Sequence, residues 1–463
     1  MKRTILLLLI LTVVLPVAAM TAKVKYPGPK SYVYRYYLRD KGATEYSLQE
    51  PERFLSQRSI RRRQRQGLAV DSTDLPVCRS YISQFADMDV EVIGISRWQN
   101  TVLVRSTDTL LLAALVRLPI VAEGRCVFVS PDSIDAPANI KWNVHEGFNQ
   151  WDSVKGDTYA STREQIEPLG GIRLHQVGFT GKGMTIAILD GGFQNYNRIP
   201  ALRPVHILGT RDFVDSTSFH SIDHGTKVLS AMAANAPEVA VGTAPDADYW
   251  LLRCEDPDTE QPIEEDYWTM AAEMADSVGA DVINSSLGYY DYDGDDNDLR
   301  LQDLDGQTTL ISRSASMLAG KGIILCNSAG NSGMGQWKKI GVPADARDIL
   351  TVGAIDKRRR LASFSSVGPS QDGRIKPDVV AQGAAVALLS GRGTLVHDMG
   401  TSFSTPLICG LVACLWQALP EKTALEIMEA VRQSGDQHAE PTNIFGHGLP
   451  DFWKALNQSK DPR

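Results

Sequence analysis

Two rhythms of apolar and polar positions divide the chain. Between residues 32 and 130, strand-like runs (SYVYRYYL, VEVIGIS, NTVLVRS, GRCVFVS) interleave with two helical ones, PERFLSQRSIRRRQRQ and TDTLLLAALVRL. That order predicts a compact α+β domain of about 100 residues. Beyond residue 163 the rhythm changes. MTIAILD, DYWLLRC, ADVINSSLG, GIILCNSAGN and DILTVGA are almost continuously apolar, with helical segments between several of them. Strands apolar on both sides predict a mainly parallel sheet in three layers, covered by helices above and below, an α/β architecture. In such sheets chemistry gathers at the carboxyl ends of the strands. Residues 132–162, between the two units, are polar and rich in Pro, Asn, Asp, Gly and Ser, which predicts a linker.

The first residues follow a third pattern. Lys2 and Arg3 precede an apolar run over 5–19 that ends in small residues. The run is short for a membrane span and reads as a secretory signal peptide. No cysteine follows it before Cys78, so a lipid-anchored N-terminus is not expected. No later stretch is continuously apolar over the roughly 18 residues a span needs. The expectation is an exported protein, extracellular or in the cell envelope, without a stable membrane span.

Charge sharpens the division. The net charge of −8 argues against a nucleic-acid partner, but it is unevenly spread. There are 21 basic and 16 acidic residues up to position 158, a surplus of five, and a deficit of thirteen after it. Arg58, Arg61, Arg62, Arg63 and Arg65 cluster on a helix predicted over 51–66, either as a solvated face or as a face docking on an acidic partner. Six cysteines in 463 residues are too few for a disulfide framework. Cys409 and Cys414 share a predicted helix on different faces, and free buried thiols are expected there. The acidic stretch over 291–305 matches no EF-hand spacing; it is either a solvated loop or a source of oxygen ligands for a structural calcium.

Three fragments of the α/β half carry chemistry. MTIAILDGG ends a buried strand on Asp190, where a carboxylate can orient a histidine ring; Asp also commonly ends strands in turns. DHGTKVLSAMAAN places His224 at a helix entry, held firmly enough to act as a general base, or simply a structural histidine. GTSFSTPLICGLVACLWQAL sets Ser402 at the mouth of an apolar helix, where backbone N–H groups stabilise negative charge and where serine is also a favoured cap.

In this order, Asp–His–Ser, the fragments D-G, H-G-T and G-T-S-x-x-x-P resemble the subtilisin-like serine peptidases. QIEPLGGIRLHQVGFTGKGMTIAILDGG, SSLG at Ser285–Gly288, SAGNSG at Ser328–Gly333 and FSSVGPSQDGRIKPDVVAQG are similar to further segments of that family, so the likeness runs over about 165–456. It implies a secreted serine endopeptidase acting on polypeptides through an acyl-enzyme intermediate. Ser402 is implied as nucleophile, His224 as general base and acid, Asp190 as the group that orients the imidazole, and Asn331 as oxyanion donor beside the Ser402 N–H. Ser285, Ser286, Leu287, Gly288, Ala329 and Gly330 are implied as substrate-binding walls. No cofactor is implied for catalysis, and a monomer is expected.

The resemblance also gives the first unit a role. A small α+β domain between a signal peptide and a subtilase unit is similar to the family's propeptide, an intramolecular chaperone and inhibitor; a permanently attached accessory domain is the alternative. Slow folding of non-local parallel sheets is a physical reason for such a template. The expected divisions are 1–22, 23–158 and 159–463, with self-cleavage between Asn139 and Arg163. A catalytically inactive fold that only binds is a competing reading. An esterase of the α/β-hydrolase kind is excluded by the motif order and by Ser404 at the place of the second glycine of G-x-S-x-G. A zinc protease is excluded for lack of H-E-x-x-H.

Two positions depart from the family pattern. Lys227 stands where a second histidine is usual, and Phe403 where methionine is common after the nucleophile. The loop over 233–245 is too short for the family's usual calcium site. Because a thioether oxidises to a polar sulfoxide and a phenyl ring does not, activity is expected to survive peroxide; inactivation at low peroxide contradicts this.

Overall fold

The computed structural model describes residues 23–135, 153–214, 218–294 and 298–460. The leader and most of the linker lie outside the described residues.

Seven parallel strands form the main sheet, in the order Val379–Gln382, Leu350–Ile355, Ile324–Ser328, Val282–Ser285, Thr185–Asp190, Asp248–Arg253 and His206–Asp212. Alternation along each strand feeds two cores. Ile186 and Ile188 pack with Val228, Leu229, Leu407 and Leu411, under the helices His224–Ala233 and Thr401–Ala418. Ala187, Leu189 and Ile283 pack on the other side with Trp268, Ala271 and Ile311, from the helices Ile263–Val278 and Leu310–Met317. The three-layer α/β fold expected from the apolar runs is the one observed. Thr401–Ala418 is by length and composition able to cross a membrane, yet 89% of it is buried within the domain. Its all-round apolarity is that of a core helix. The edge strand His206–Asp212 went unread because none of its residues is fully buried, so it lacks an apolar run.

The first unit is a four-stranded antiparallel sheet in the order Glu91–Ser96, Thr101–Ser106, Tyr32–Leu38 and Val121–Val129. It carries the helices Gln57–Arg65, Arg79–Ala86 and Thr109–Leu115, one more than the two expected. Arg79–Ala86 buries only Phe85 fully, too little to leave a periodic apolar stripe. The helix predicted over 51–66 begins later, because Ser56 caps it by accepting the Ser59 N–H at 3.1 Å. One sheet face closes on the unit's own core around Tyr36, Val102, Val104 and Phe85. The other face, through Val33, Leu103 and Phe128, joins the core that contains Trp268 and Ile263 of the α/β unit.

The arginine cluster lies at this junction, and it docks. Asp276, without exposed side-chain surface, accepts from Arg63 at 3.0 Å on each oxygen, from Arg97 at 3.1 Å, and from Arg62. Arg62 also donates to the Ala280 carbonyl at 2.6 Å, and Arg63 to Asp74 at 2.8 Å. Elsewhere on the junction Arg35 is paired with Asp266 at 2.8 and 2.9 Å, both fully buried. One charge runs the other way: Lys321 of the α/β unit reaches Asp74 at 3.1 Å. Only Arg61 of the cluster's middle faces solvent.

Ion pairs this deep give little net stability over apolar packing, yet removing one partner strands the rest. Asp276→Asn is therefore expected to destabilise the intact chain by about 3–5 kcal/mol, measured as a lower denaturant midpoint. An unchanged midpoint means the network contributes nothing to docking.

Candidate active site

The strand order reverses beside Thr185–Asp190, and the loops at the carboxyl ends of these strands enclose a cleft of about 730 Å³. Asp190, the last residue of its strand, is fully buried. Its Oδ1 accepts from His224 Nδ1 at 2.8 Å and from the Gly191 N–H at 2.8 Å, while Oδ2 has no hydrogen-bond partner among the described residues. A proton on Nδ1 follows from the acceptor it meets, which leaves Nε2 as the basic atom. His224 opens its helix and lines the cleft, with Phe403 packed 5.6 Å away between ring centroids.

Ser402 sits in the first turn of Thr401–Ala418, where backbone N–H groups have no intrahelical acceptor. Its Oγ donates to the Ser286 carbonyl at 3.3 Å; among the described residues no hydrogen bond joins it to His224. Ser286 Oγ in turn donates to the Ser402 carbonyl at 2.9 Å, locking the two segments together. Asn331 is carried on a turn in which Gly330 takes a φ of +104°, a conformation open to glycine. Its Oδ1 accepts from the Thr401 N–H at 2.9 Å and Thr401 Oγ1 at 3.0 Å. With the oxygen held, Nδ2 is left as the donor at the cleft.

Of the other anticipated residues, Ser286, Leu287, Gly288 and Gly330 line the cleft. Ser285 and Ala329 do not reach it, and this corrects the expectation for both. Each is fully buried; the Ser285 hydroxyl accepts from Trp268 Nε1 at 3.0 Å, and the Ala329 N–H is spent on the Val352 carbonyl at 3.0 Å. Lys227 points away from the reacting groups and fastens its helix to Asp398 at 3.1 Å and Asp223 at 3.3 Å.

Sequence reading missed an acidic wall. Glu255, Asp256, Asp258 and Glu260, in the loop after Asp248–Arg253, line the cleft together with Asp293. An acidic run directly after a buried strand was the available clue. Burial, and then the Asp190 charge, push the Glu255 carboxyl up to about 7. Burial, followed by Glu255 and Asp293, pushes Glu260 up to about 8. For His224, burial pulls the pKa down, but the Asp190 charge and hydrogen bond outweigh it and raise the ring to about 9.

The acidic stretch over 291–305 does not assemble a cation cage from its described residues. Asp293 accepts from the Glu260 N–H, Asp298 from the Tyr292 N–H, and Asp305 from Gln307 and Thr308. Among the described residues no three His, Cys, Asp or Glu gather as metal ligands; residues 295–297 lie outside them. All six cysteines are free thiols.

The profile described as the Subtilase family matches residues 181–448, more than half of the chain. The chain belongs to the subtilase family. A second profile, the Peptidase S8 propeptide domain of Bacteroidota, matches residues 33–141 of this subtilase, so its first unit is a propeptide domain. Serine protease AprX of Bacillus subtilis (strain 168) is 24% identical over 318 residues, covering 58% of this chain and 65% of that protein. Subtilisin NAT of Bacillus subtilis subsp. natto is 29% identical over 282 residues, covering 60% and 66%. The thermostable alkaline protease of Halalkalibacterium halodurans is 28% identical over 278 residues, covering 59% and 68%. This subtilase thus spans slightly less than two thirds of the length of the first two relatives.

Because two effects oppose each other at His224, its titration is diagnostic. The ring of the intact chain is expected to titrate above 6.5, toward 9, so the neutral, proton-accepting form prevails only at alkaline pH. Asp190→Asn removes the dominant raising charge and is expected to lower that pKa. NMR titration of the imidazole measures both; a wild-type value at or below 6.5 contradicts the assignment.

Proposed function

We propose that the chain is a secreted serine endopeptidase, made as a zymogen, that hydrolyses polypeptides through Asp190, His224 and Ser402. The observation that carries this reading is the 2.8 Å Asp190–His224 hydrogen bond opening on a cleft that also holds Ser402 and Asn331. Its likeness to a serine protease, a subtilisin and an alkaline protease supports it.

In the proposed reaction His224 Nε2 takes the Ser402 hydroxyl proton as Oγ bonds to the scissile carbonyl carbon. The bond from Ser402 Oγ to the Ser286 carbonyl must break for this, a small rotation since hydrogen bonds at apo sites are often long or poorly aligned. The negative oxygen that forms is met by Asn331 Nδ2 and the Ser402 N–H, both fixed in advance. Asp190 stays ionised and stabilises the imidazolium. His224 then gives its proton to the leaving amine, and water repeats the sequence on the acyl-enzyme. These steps require no cofactor.

Ser286, Leu287 and Gly288 extend the Val282–Ser285 strand as an edge on which a substrate backbone can pair. In the precursor the propeptide is held by its buried arginines, and Ser133 and Ile134 of its last described strand, Ser133–Asp135, border a cavity that shares Pro257, Asp258 and Asp293 with the cleft. It serves as inhibitor until cut. A monomer is proposed.

A fluorophosphonate is expected to label Ser402 and no other serine, and Ser402→Ala is expected to abolish labelling. Asn331→Ala should lower kcat while leaving KM nearly unchanged; the loss known for subtilisin itself, roughly 10²–10³, sets the scale. An unlabelled wild-type protein favours a fold that only binds.

A further inference from the structure

Neither the reaction nor the two cores use the first described residues. Lys23–Lys25 form a strand whose three side chains are all exposed. It pairs antiparallel with Ser133–Asp135, the last described strand of the propeptide domain, in the register Lys23 to Asp135, Val24 to Ile134 and Lys25 to Ser133. The pairing carries on one residue further, the Tyr26 N–H donating to the Asp132 carbonyl at 3.3 Å. Lys30 adds an ion pair to Asp132 at 2.9 Å, exposed enough to count for little. This ribbon is a sheet of its own, separate from the four-stranded propeptide sheet.

A two-stranded ribbon is marginal by itself, and this one leans on the catalytic unit. Tyr26 packs on the junction core that contains Phe128, Ile263 and Tyr267, its ring 6.3 Å from that of Phe128. Tyr26, Pro27 and Pro29 border a cavity of about 440 Å³ together with Thr259, Ile263 and Tyr267. Lys23 borders the neighbouring cavity with Asp258 and Asp293. Pro27 and Pro29, with Gly28 at a φ of +83° between them, limit the freedom that seating this strand costs.

The chain leaving the propeptide is therefore held at two points. At Val129 the catalytic unit's Gln261 stands in for a strand backbone: its Oε1 accepts the Val129 N–H at 2.8 Å and its Nε2 donates to the Val129 carbonyl at 3.0 Å. At Ser133–Asp135 the N-terminal strand takes over. Both points lie before the expected cut between Asn139 and Arg163, so cutting leaves both in place.

Resting on the zymogen reading above, we propose that Lys23–Tyr26 is an autoinhibitory strap. By pairing with Ser133–Asp135 it keeps the severed end of the propeptide beside the cleft, and activity appears only as the strap opens. Opening of so small and exposed a ribbon is a local event that spares the rest of the fold. The strap sets the delay between cut and activity; it alters neither the cut nor the released enzyme.

The ladder shows where to break it. Residues two apart on a strand face the same partner, so the Val24 N–H, like that of Tyr26, points to the outgoing chain. Val24→Pro removes that donor, Tyr26→Ala removes the anchor, and Val24→Thr keeps both. Each purified precursor is refolded by dilution from denaturant, with the cut followed on gels and activity by a fluorogenic peptide. Val24→Pro and Tyr26→Ala are expected to shorten the delay about tenfold, with the rate of cutting and the final kcat/KM unchanged. Val24→Thr should match the wild type. In the uncut Ser402→Ala chain, adding Val24→Pro should speed amide exchange at 133–135 and leave 101–106 protected. A wild-type delay in both Val24→Pro and Tyr26→Ala overturns the strap, as does a wild type that is cut and active with no delay. A Val24→Pro chain that is never cut, or that loses protection over 101–106, also overturns it, because the strand then serves folding. These results leave the endopeptidase reading standing; a wild type that is never cut and cleaves no peptide overturns both.

Discussion

All seven strands of the main sheet run one way, and that constraint organises the rest of the molecule. Parallel pairing requires crossovers, several of them helical, and every strand ends at the same edge. Asp190 ends one strand, Ser286 follows the next, and the Asn331 turn follows the third. The two helices that start at this edge bring His224 and Ser402 with their N-termini toward the cleft. Reversal of strand order beside Asp190 opens the space between the loops. The cleft is a consequence of direction and order before any side chain is considered.

Electrostatics then gives the edge its character. A buried carboxylate at Asp190 is tolerable because an imidazole and a backbone N–H meet it. The same charge raises His224 and, with burial, raises Glu255. On the far side of the helix Ile263–Val278 the protein uses acidic groups differently: Asp266, Glu273 and Asp276 are matched by propeptide arginines and backbone donors. One helix thus separates a face matched by propeptide arginines from a cleft lined by carboxylates and, among the described residues, by no lysine or arginine. The precursor is held together at the first face while the second faces the chain that will be cut.

Much of this was legible in the sequence, for reasons that differ by residue. The five apolar runs were all strands, because burial on both faces leaves no choice of residue type. Asp190, His224 and Ser402 stood out because each closes or opens an element, and their order carried the family likeness. Ser285 and Ala329 were misplaced because residues within one short motif alternate sides: Ser286 faces the cleft, while Ser285 turns inward to Trp268. The helix Arg79–Ala86 and the strand His206–Asp212 bury too little to show a period. Whether Arg62 and Arg63 were solvated or docked was undecidable from composition, since only the fold brings Asp276 to them. Four members of the acidic wall form one run in the sequence, and only the fold brings Asp293, 33 residues beyond Glu260, to join them.

The central proposal is that this chain is its own first substrate, cut by Ser402. N-terminal sequencing of the purified wild-type and Ser402→Ala proteins tests it most directly. The account predicts a wild-type N-terminus between Asn139 and Arg163, and a Ser402→Ala protein that keeps its propeptide uncut. A Ser402→Ala protein trimmed at the same place in purified form would contradict it.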